Sequence, residues 1–135
     1  MTDAPKAPRT PPLSPFVTVW RWHITMAASI LHRVTGLGLY GGALIAAAWA
    51  VALAGGPVRD GRFKGLLGSL PGKLVMFGLT VCLFYHLANG VRHLVWDTGH
   101  ALDVKTANAT TVMVFAFAGA ATIAVWMIAA MTGAI

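Results

Sequence analysis

Glutamate is absent from this sequence, and its acidic side chains amount to four aspartates in 135 residues. Charge of either sign is scarce. Asp, Glu, Lys and Arg make up 10% of the chain and hydrophobic residues 57%, whereas a soluble domain carries about 25% charged residues. That deficit excludes a water-facing surface over most of the chain and fits one that faces lipid. Cysteine is nearly absent too. The single Cys82, inside an apolar stretch, excludes an intrachain disulfide and any zinc or iron–sulfur site built on a cysteine pair. The formal charge of +6 is compatible with nucleic-acid binding, but the basic residues form no run. They flank apolar segments, where headgroup contact and the positive-inside rule account for them better.

What is present is organised as three apolar spans within one domain. A span needs about 20 mostly apolar residues. Val34–Val58 and Thr111–Ile135 carry no charge, and Leu74–Val91 carries one histidine and no formal charge. The apolar pattern of the first extends back to Ile24 across Arg33. The expected fold is therefore all-α and membrane-integral: a three-helix domain over 21–135, with helices at about 24–54, 72–98 and 108–133. A Gly- and Arg-rich loop, Gly55–Lys73, and a connection with a short polar turn, Trp96–Ala109, join them. Residues 1–20 read as an extended polar segment. Met1–Pro15 has no apolar core and so is not a secretory signal, and with Asp3 and few basic residues it makes a poor mitochondrial transit peptide. The expectation is a bacterial chain or an already mature organellar one.

Three spans put the N-terminus and the second connection on one side, with Lys6, Arg9, Arg21, Arg33, Arg92 and Lys105. The other side holds Arg59, Arg62, Lys64 and Lys73. The mild bias favours a cytoplasmic N-terminus, and Trp20, Trp22 and Trp96 fall near that face as an aromatic belt would.

Ionisable groups at membrane depth are costly and mark function. Ser29, His32 and Arg33 on the first helix and His86, Arg92, His93 and Asp97 around the second all lie in the cytoplasmic half, because the two helices run antiparallel. The opposite half is Ala, Leu, Val and Gly. His86 lies six residues inside Arg92, or about 9 Å at the helical rise. A neutral imidazole there suits a metal, with haem iron a common membrane choice. Gly90 at i+4 would let a flat macrocycle approach the backbone. The alternative for His86 is a hydrogen bond to a neighbouring helix. His32, followed by Gly36 at i+4, repeats the arrangement nearer the interface, where it suits an anionic group such as a propionate, or merely snorkels. Ser29 and Arg33 share a face, so a hydroxyl and a guanidinium can together hydrogen-bond a carbonyl oxygen that develops negative charge, as a quinone offers. Positive-inside anchoring is the other reading of Arg33. His93 and Asp97, again i and i+4, could relay protons or simply pair and cap the helix end. Gly38, Gly41 and Gly42 form a small-residue surface for close packing, and the third helix is structural.

Two stretches carry a resemblance. Leu13-Ser14-Pro15, then Trp20-Arg21-Trp22 and Ser29-Ile30-Leu31-His32-Arg33-Val34-Thr35-Gly36, resembles the first signature of the succinate dehydrogenase cytochrome b subunits. Tyr85-His86-Leu87-Ala88-Asn89-Gly90-Val91-Arg92-His93-Leu94, with Asp97 after it, resembles the second. The likeness covers roughly residues 13 to 103 in the right order, and the third helix is similar in character only. Phe16 departs from the His that many relatives carry after Ser-Pro.

The resemblance implies a membrane anchor of succinate dehydrogenase that joins a second small three-helix anchor around a b-type haem. A flavoprotein subunit with FAD and an iron–sulfur subunit dock on the pair, and electrons from succinate reach ubiquinone. It implies His86 as this chain's axial ligand to the haem iron, His32 and Arg33 near the haem propionates, Ser29 and Arg33 as quinone-site residues, Ile30 as an apolar wall, and Asp97 near that site. No flavin fingerprint and no cluster-binding cysteine set exist here, so the dehydrogenase chemistry belongs to partner chains. A fumarate reductase anchor is the nearest rival, and a structural anchor without haem a more distant one. A basic adaptor or small transporter would spread polar residues through both halves of the bundle. The implied location is a bacterial inner membrane.

Overall fold

The computed structural model describes residues 14, 15 and 19–133. Most of the N-terminal segment expected to be extended, Phe16 included, lies outside the described residues. Among these the chain forms four helices of twelve or more residues, α1 (Ile24–Ala54), α2 (Pro57–Gly68), α3 (Leu70–Asp97) and α4 (Val104–Met131). Of these, α1, α3 and α4 are long and apolar enough to cross a membrane. At 31 residues, α1 is about 46 Å long, more than the roughly 30 Å hydrocarbon core, so its ends reach into the headgroup layers.

Helix α3 is central, packing against α4 and α1. Its seam with α4 is built on Tyr85, Val114 and Ala118, backed by Phe84, Ala88 and Phe115. Thr111 and Thr122 of α4 are fully buried in that seam. Each hydroxyl donates to the carbonyl four residues back, Ala107 at 2.8 Å and Ala118 at 2.7 Å. A small residue whose only polar group is satisfied within its own helix lets two backbones approach in a medium that supplies no water. The α1–α3 seam is glycine-lined. A Cβ on Gly38 would lie 3.0 Å from Cys82 Sγ, and one on Gly42 3.2 Å from Leu79. Gly41 faces open space instead.

The stretch Gly55–Lys73, read from sequence as a loop, is mostly helix. Its glycines lower helix propensity, but Pro57 occupies the first helical turn and Asp60 lies near the N-terminal dipole. Asp60 also accepts from the Trp49 indole at 3.3 Å and pairs with Lys64 at 2.6 Å, which ties α2 back onto α1. The turn into α3 is tight. Ser69 caps α3 by accepting from the Gly72 N–H at 3.3 Å, and a Cβ on Gly72 would collide with the carbonyls of Leu66 and Leu67.

At the other end, the connection is shorter than Trp96–Ala109. Helix α4 starts at Val104 because Asp103 caps it, accepting from the Thr106 N–H at 2.9 Å. Ala101 takes a positive φ of 58° in this turn, where its carbonyl accepts from the Trp96 indole at 3.1 Å. Trp96 thus holds the turn, a task distinct from the belt position expected of it. Trp20 and Trp22 are exposed and meet edge-on at 5.3 Å.

Candidate functional site

The polar residues of α1 and α3 come together at one end of the bundle, and the arrangement turns on His86. Its Nδ1 lies 3.1 Å from the His32 carbonyl oxygen on α1. A carbonyl only accepts, so Nδ1 carries the proton. The Thr35 hydroxyl sits 3.3 Å from the same nitrogen. Its own hydrogen is directed to the Leu31 and His32 carbonyls at 2.8 and 3.0 Å. The ring passes close to Gly36, where a Cβ would be 3.1 Å from His86 Cε1. The hydrogen bond to a neighbouring helix is therefore real, but it uses one nitrogen. Nε2 has no hydrogen-bond partner among the described residues and is not a buried atom. One ring nitrogen is thus oriented by a carbonyl and the other is left without a partner, an arrangement that ligating histidines share. Gly90, one turn further along α3, has nothing within 4 Å of the place its Cβ would occupy, so the helix surface at Gly90 is open.

Three imidazoles stack here. His32 lies over His86 with ring centroids 3.9 Å apart and planes 10° from parallel, and His93 lies 5.0 Å from His32 at 15°. His32 Nδ1 is buried and has no hydrogen-bond partner. His93 donates from Nδ1 to the Asn89 carbonyl one turn back, at 2.8 Å. Its expected alternative, a pair with Asp97, is not formed. Asp97 is exposed and has no hydrogen bond or ion pair among the described residues.

Arg92 departs from its interfacial reading. It is buried and satisfied, donating to the Asn89 side-chain oxygen at 3.1 Å, to Thr110 Oγ1 at 3.1 Å and to the Ala107 carbonyl at 3.0 Å. Its guanidinium also lies 4.0 Å above the Trp96 ring. It locks α3 to α4 behind the imidazoles, so it no longer counts among the charges that meet headgroups. Tyr85 similarly locks α3 to α1, its hydroxyl donating to the Ala28 carbonyl at 2.8 Å. Sequence reasoning gave Thr35, Tyr85 and Asn89 no role. The available signal was a polar residue of each kind inside an apolar span, and Thr35, Asn89 and the Tyr85 body are all buried.

Ser29, Ile30 and Arg33 lie on α1 off the buried line of Ala28 and Thr35. Ile30 and Arg33 are exposed and Ser29 half-buried. Neither Ser29 nor Arg33 has a hydrogen-bond or ionic partner among the described residues. An unpaired guanidinium thus stands one helical turn from an unpaired hydroxyl on α1, with Arg33 next to His32 in the chain.

Fold and site together define a multi-pass membrane protein with an oriented imidazole, an unpaired guanidinium and an unpaired hydroxyl toward one end of the bundle. Residues 7–125 match the family of succinate dehydrogenase/fumarate reductase transmembrane subunits, and the chain belongs to that family. It is 32% identical over 99 residues to the succinate dehydrogenase cytochrome b556 subunit of Rickettsia felis, covering 73% of this chain and 77% of that one. It is 38% identical over 105 residues to the mitochondrial cytochrome b560 subunit of the pig, covering 76% and 62%, and 38% identical over 98 residues to the human one, covering 69% and 56%. The chain thus spans about three quarters of the rickettsial relative and under two thirds of the mammalian ones.

Proposed function

We propose that this chain is the haem- and quinone-binding anchor of a succinate dehydrogenase, seated in a bacterial inner membrane with its N-terminus in the cytoplasm. The observation that carries the reading is His86: an imidazole at membrane depth, its Nδ1 proton committed to the His32 carbonyl and its Nε2 free. The residues fit a b-type haem. His86 Nε2 would ligate its iron, the open helix surface at Gly90 would let a flat ring approach, and the buried, unpartnered His32 Nδ1 and the unpaired Arg33 would meet its propionates. A second small membrane anchor would supply a further ligand to the iron. Bound there, the haem supplies a one-electron carrier within the membrane.

Ser29 and Arg33 form the donor pair for ubiquinone, with exposed Ile30 as an apolar wall and Asp97 close to the same face as a water-side acid. Reduction builds negative charge on the quinone oxygens before protons arrive. A fixed guanidinium and a hydroxyl stabilise that charge best where water is partly excluded. The succinate chemistry, with its FAD and iron–sulfur clusters, belongs to a flavoprotein and an iron–sulfur subunit docked on this face. The relatives' names, which are those of succinate dehydrogenase subunits, favour this direction of electron flow over fumarate reduction.

The test is a ratio. In assembled complexes of equal content, Ser29→Ala and Arg33→Leu depress succinate–quinone turnover, while transfer from succinate to a dye accepting upstream of the membrane persists. Losing one such donor reduces the rate roughly a hundredfold. An unchanged ratio in both variants would remove this pair from the quinone site.

A further inference from the structure

The end of the bundle away from the imidazoles holds a cavity of about 670 Å³ between all four helices. Its size is that of a small-molecule pocket, about 300–1,000 Å³. Ala46 and Trp49 of α1, Leu79 of α3 and Trp126 of α4 form an apolar wall, with Lys64 of α2 and Lys73 of α3 also lining the cavity. The polar groups of the wall are already used. The Trp49 indole donates to Asp60 and the Trp126 indole to Thr80 Oγ1, each at 3.3 Å, and the Thr80 hydroxyl donates to the Met76 carbonyl at 2.8 Å. Such a wall holds no water, which needs two or more polar partners. It also offers no directed donor for a quinone carbonyl. What remains is ammonium charge. Lys73 has no ionic partner among the described residues, and Lys64 is 63% exposed despite its pair with Asp60. Helix α2, which contributes Lys64 to the lining, also carries Arg59 and Arg62.

We propose that this cavity binds one acyl chain of an anionic phospholipid whose phosphate is held by Lys64 and Lys73. Hydrocarbon fills a dry apolar wall, and the charge complementarity at the rim selects an anionic head over a zwitterionic one. The site lies on the opposite membrane face from Ser29 and Arg33 and is independent of their role.

The protein is purified with the subunits that accompany it, stripped of loosely held lipid in detergent, and titrated with phosphatidylglycerol or phosphatidylcholine under native mass spectrometry. The parent retains phosphatidylglycerol more tightly than phosphatidylcholine. Each of Lys64→Gln and Lys73→Gln weakens that retention about fivefold, the factor expected per basic residue near a headgroup. Ala46→Phe, which fills the cavity, displaces the lipid. Co-elution of the accompanying subunits, unchanged by the lysine substitutions, confirms assembly, and those two variants decide the matter even if Ala46→Phe misfolds. Retention unaffected by the Lys64→Gln, Lys73→Gln double variant, equal retention of both lipids, or recovery of a quinone as the molecule displaced would each overturn the proposal.

Discussion

Replacing Gly36 by alanine tests whether His86 is held as tightly as the geometry implies. The new methyl would sit 3.1 Å from His86 Cε1, inside ordinary van der Waals contact, so the ring must retreat by a few tenths of an ångström. The retreat is opposed on two sides. The His32 ring is stacked at 3.9 Å, and the Nδ1 bond to the His32 carbonyl is 3.1 Å long. Lengthening that bond towards about 3.6 Å abolishes it. Overpacking of this kind costs about 1–3 kcal/mol. In water, Gly→Ala in a helix would return about 1 kcal/mol. In a membrane the helix exists whether or not it packs, so that gain largely cancels and the steric term prevails. Gly36→Ala should therefore lower the temperature at which the purified complex dissociates and alter the reduced b-type absorption bands. Gly78→Ala, exposed on α3 with nothing within 4 Å, should do neither. If the two variants are indistinguishable in both assays, the Gly36–His86 contact does not position the imidazole.

Three further outcomes follow from the site. His86→Leu should abolish or change the b-type bands, whereas His93→Leu, which removes only the outer ring of the stack, should leave them largely intact; the reverse pattern in visible spectra would refute the ligand assignment. Arg92→Leu strands the Asn89 side-chain oxygen in a dry seam, at about 1–3 kcal/mol for the orphaned acceptor, and should shorten the thermal half-life in detergent while leaving the quinone-to-dye ratio of surviving complexes unchanged. Hydrogen bonding from the Thr106 side chain and N–H holds the Asp103 carboxyl below its usual range. The cap therefore contributes fully above the unfolded carboxylate range and is lost as pH falls through the lower folded value. Asp103→Asn should flatten that acid limb in a pH series of thermal melts.

The spans were legible because the bilayer imposes a rule on composition: long uncharged stretches leave few alternatives. Helix α2 was hidden by its glycines, although Pro57 and Asp60 in its first turn were signals for it, and the Trp49–Asp60 contact that ties it to α1 is not encoded in local propensity. The start of α4 was misplaced because its first turn is polar, and only the Asp103 cap marks it. At the site, His86 was singled out by its depth and by Gly90 one turn on, and His32 by the same spacing to Gly36 nearer the interface. Arg92 was misjudged. Sequence distance from a span end places an arginine at the headgroups, but its three hydrogen-bond partners on α3 and α4 become visible only once those helices pack. That reassignment also thins the charge bias from which the cytoplasmic N-terminus was read. His93 joined the stack through the rotation of α3, which spacing from Asp97 did not convey.

Among the described residues, Tyr85 and His86 of α3 each donate to a main-chain oxygen of α1, those of Ala28 and His32, and the Thr35 hydroxyl adds a longer contact at 3.3 Å to the same His86 nitrogen. The hydrogen bond that orients His86 is thus independent of which side chain residue 32 carries, although the stacking contact is not. A substitution such as His32→Ala would remove an imidazole from the stack yet leave the acceptor that orients His86 in place. The burden of shape falls on Gly36 and Thr35 instead. Holding one histidine by backbone releases the side chain beside it for a separate duty, so that in this fold the orientation of a ligand and the recognition of a charged group can be altered one at a time.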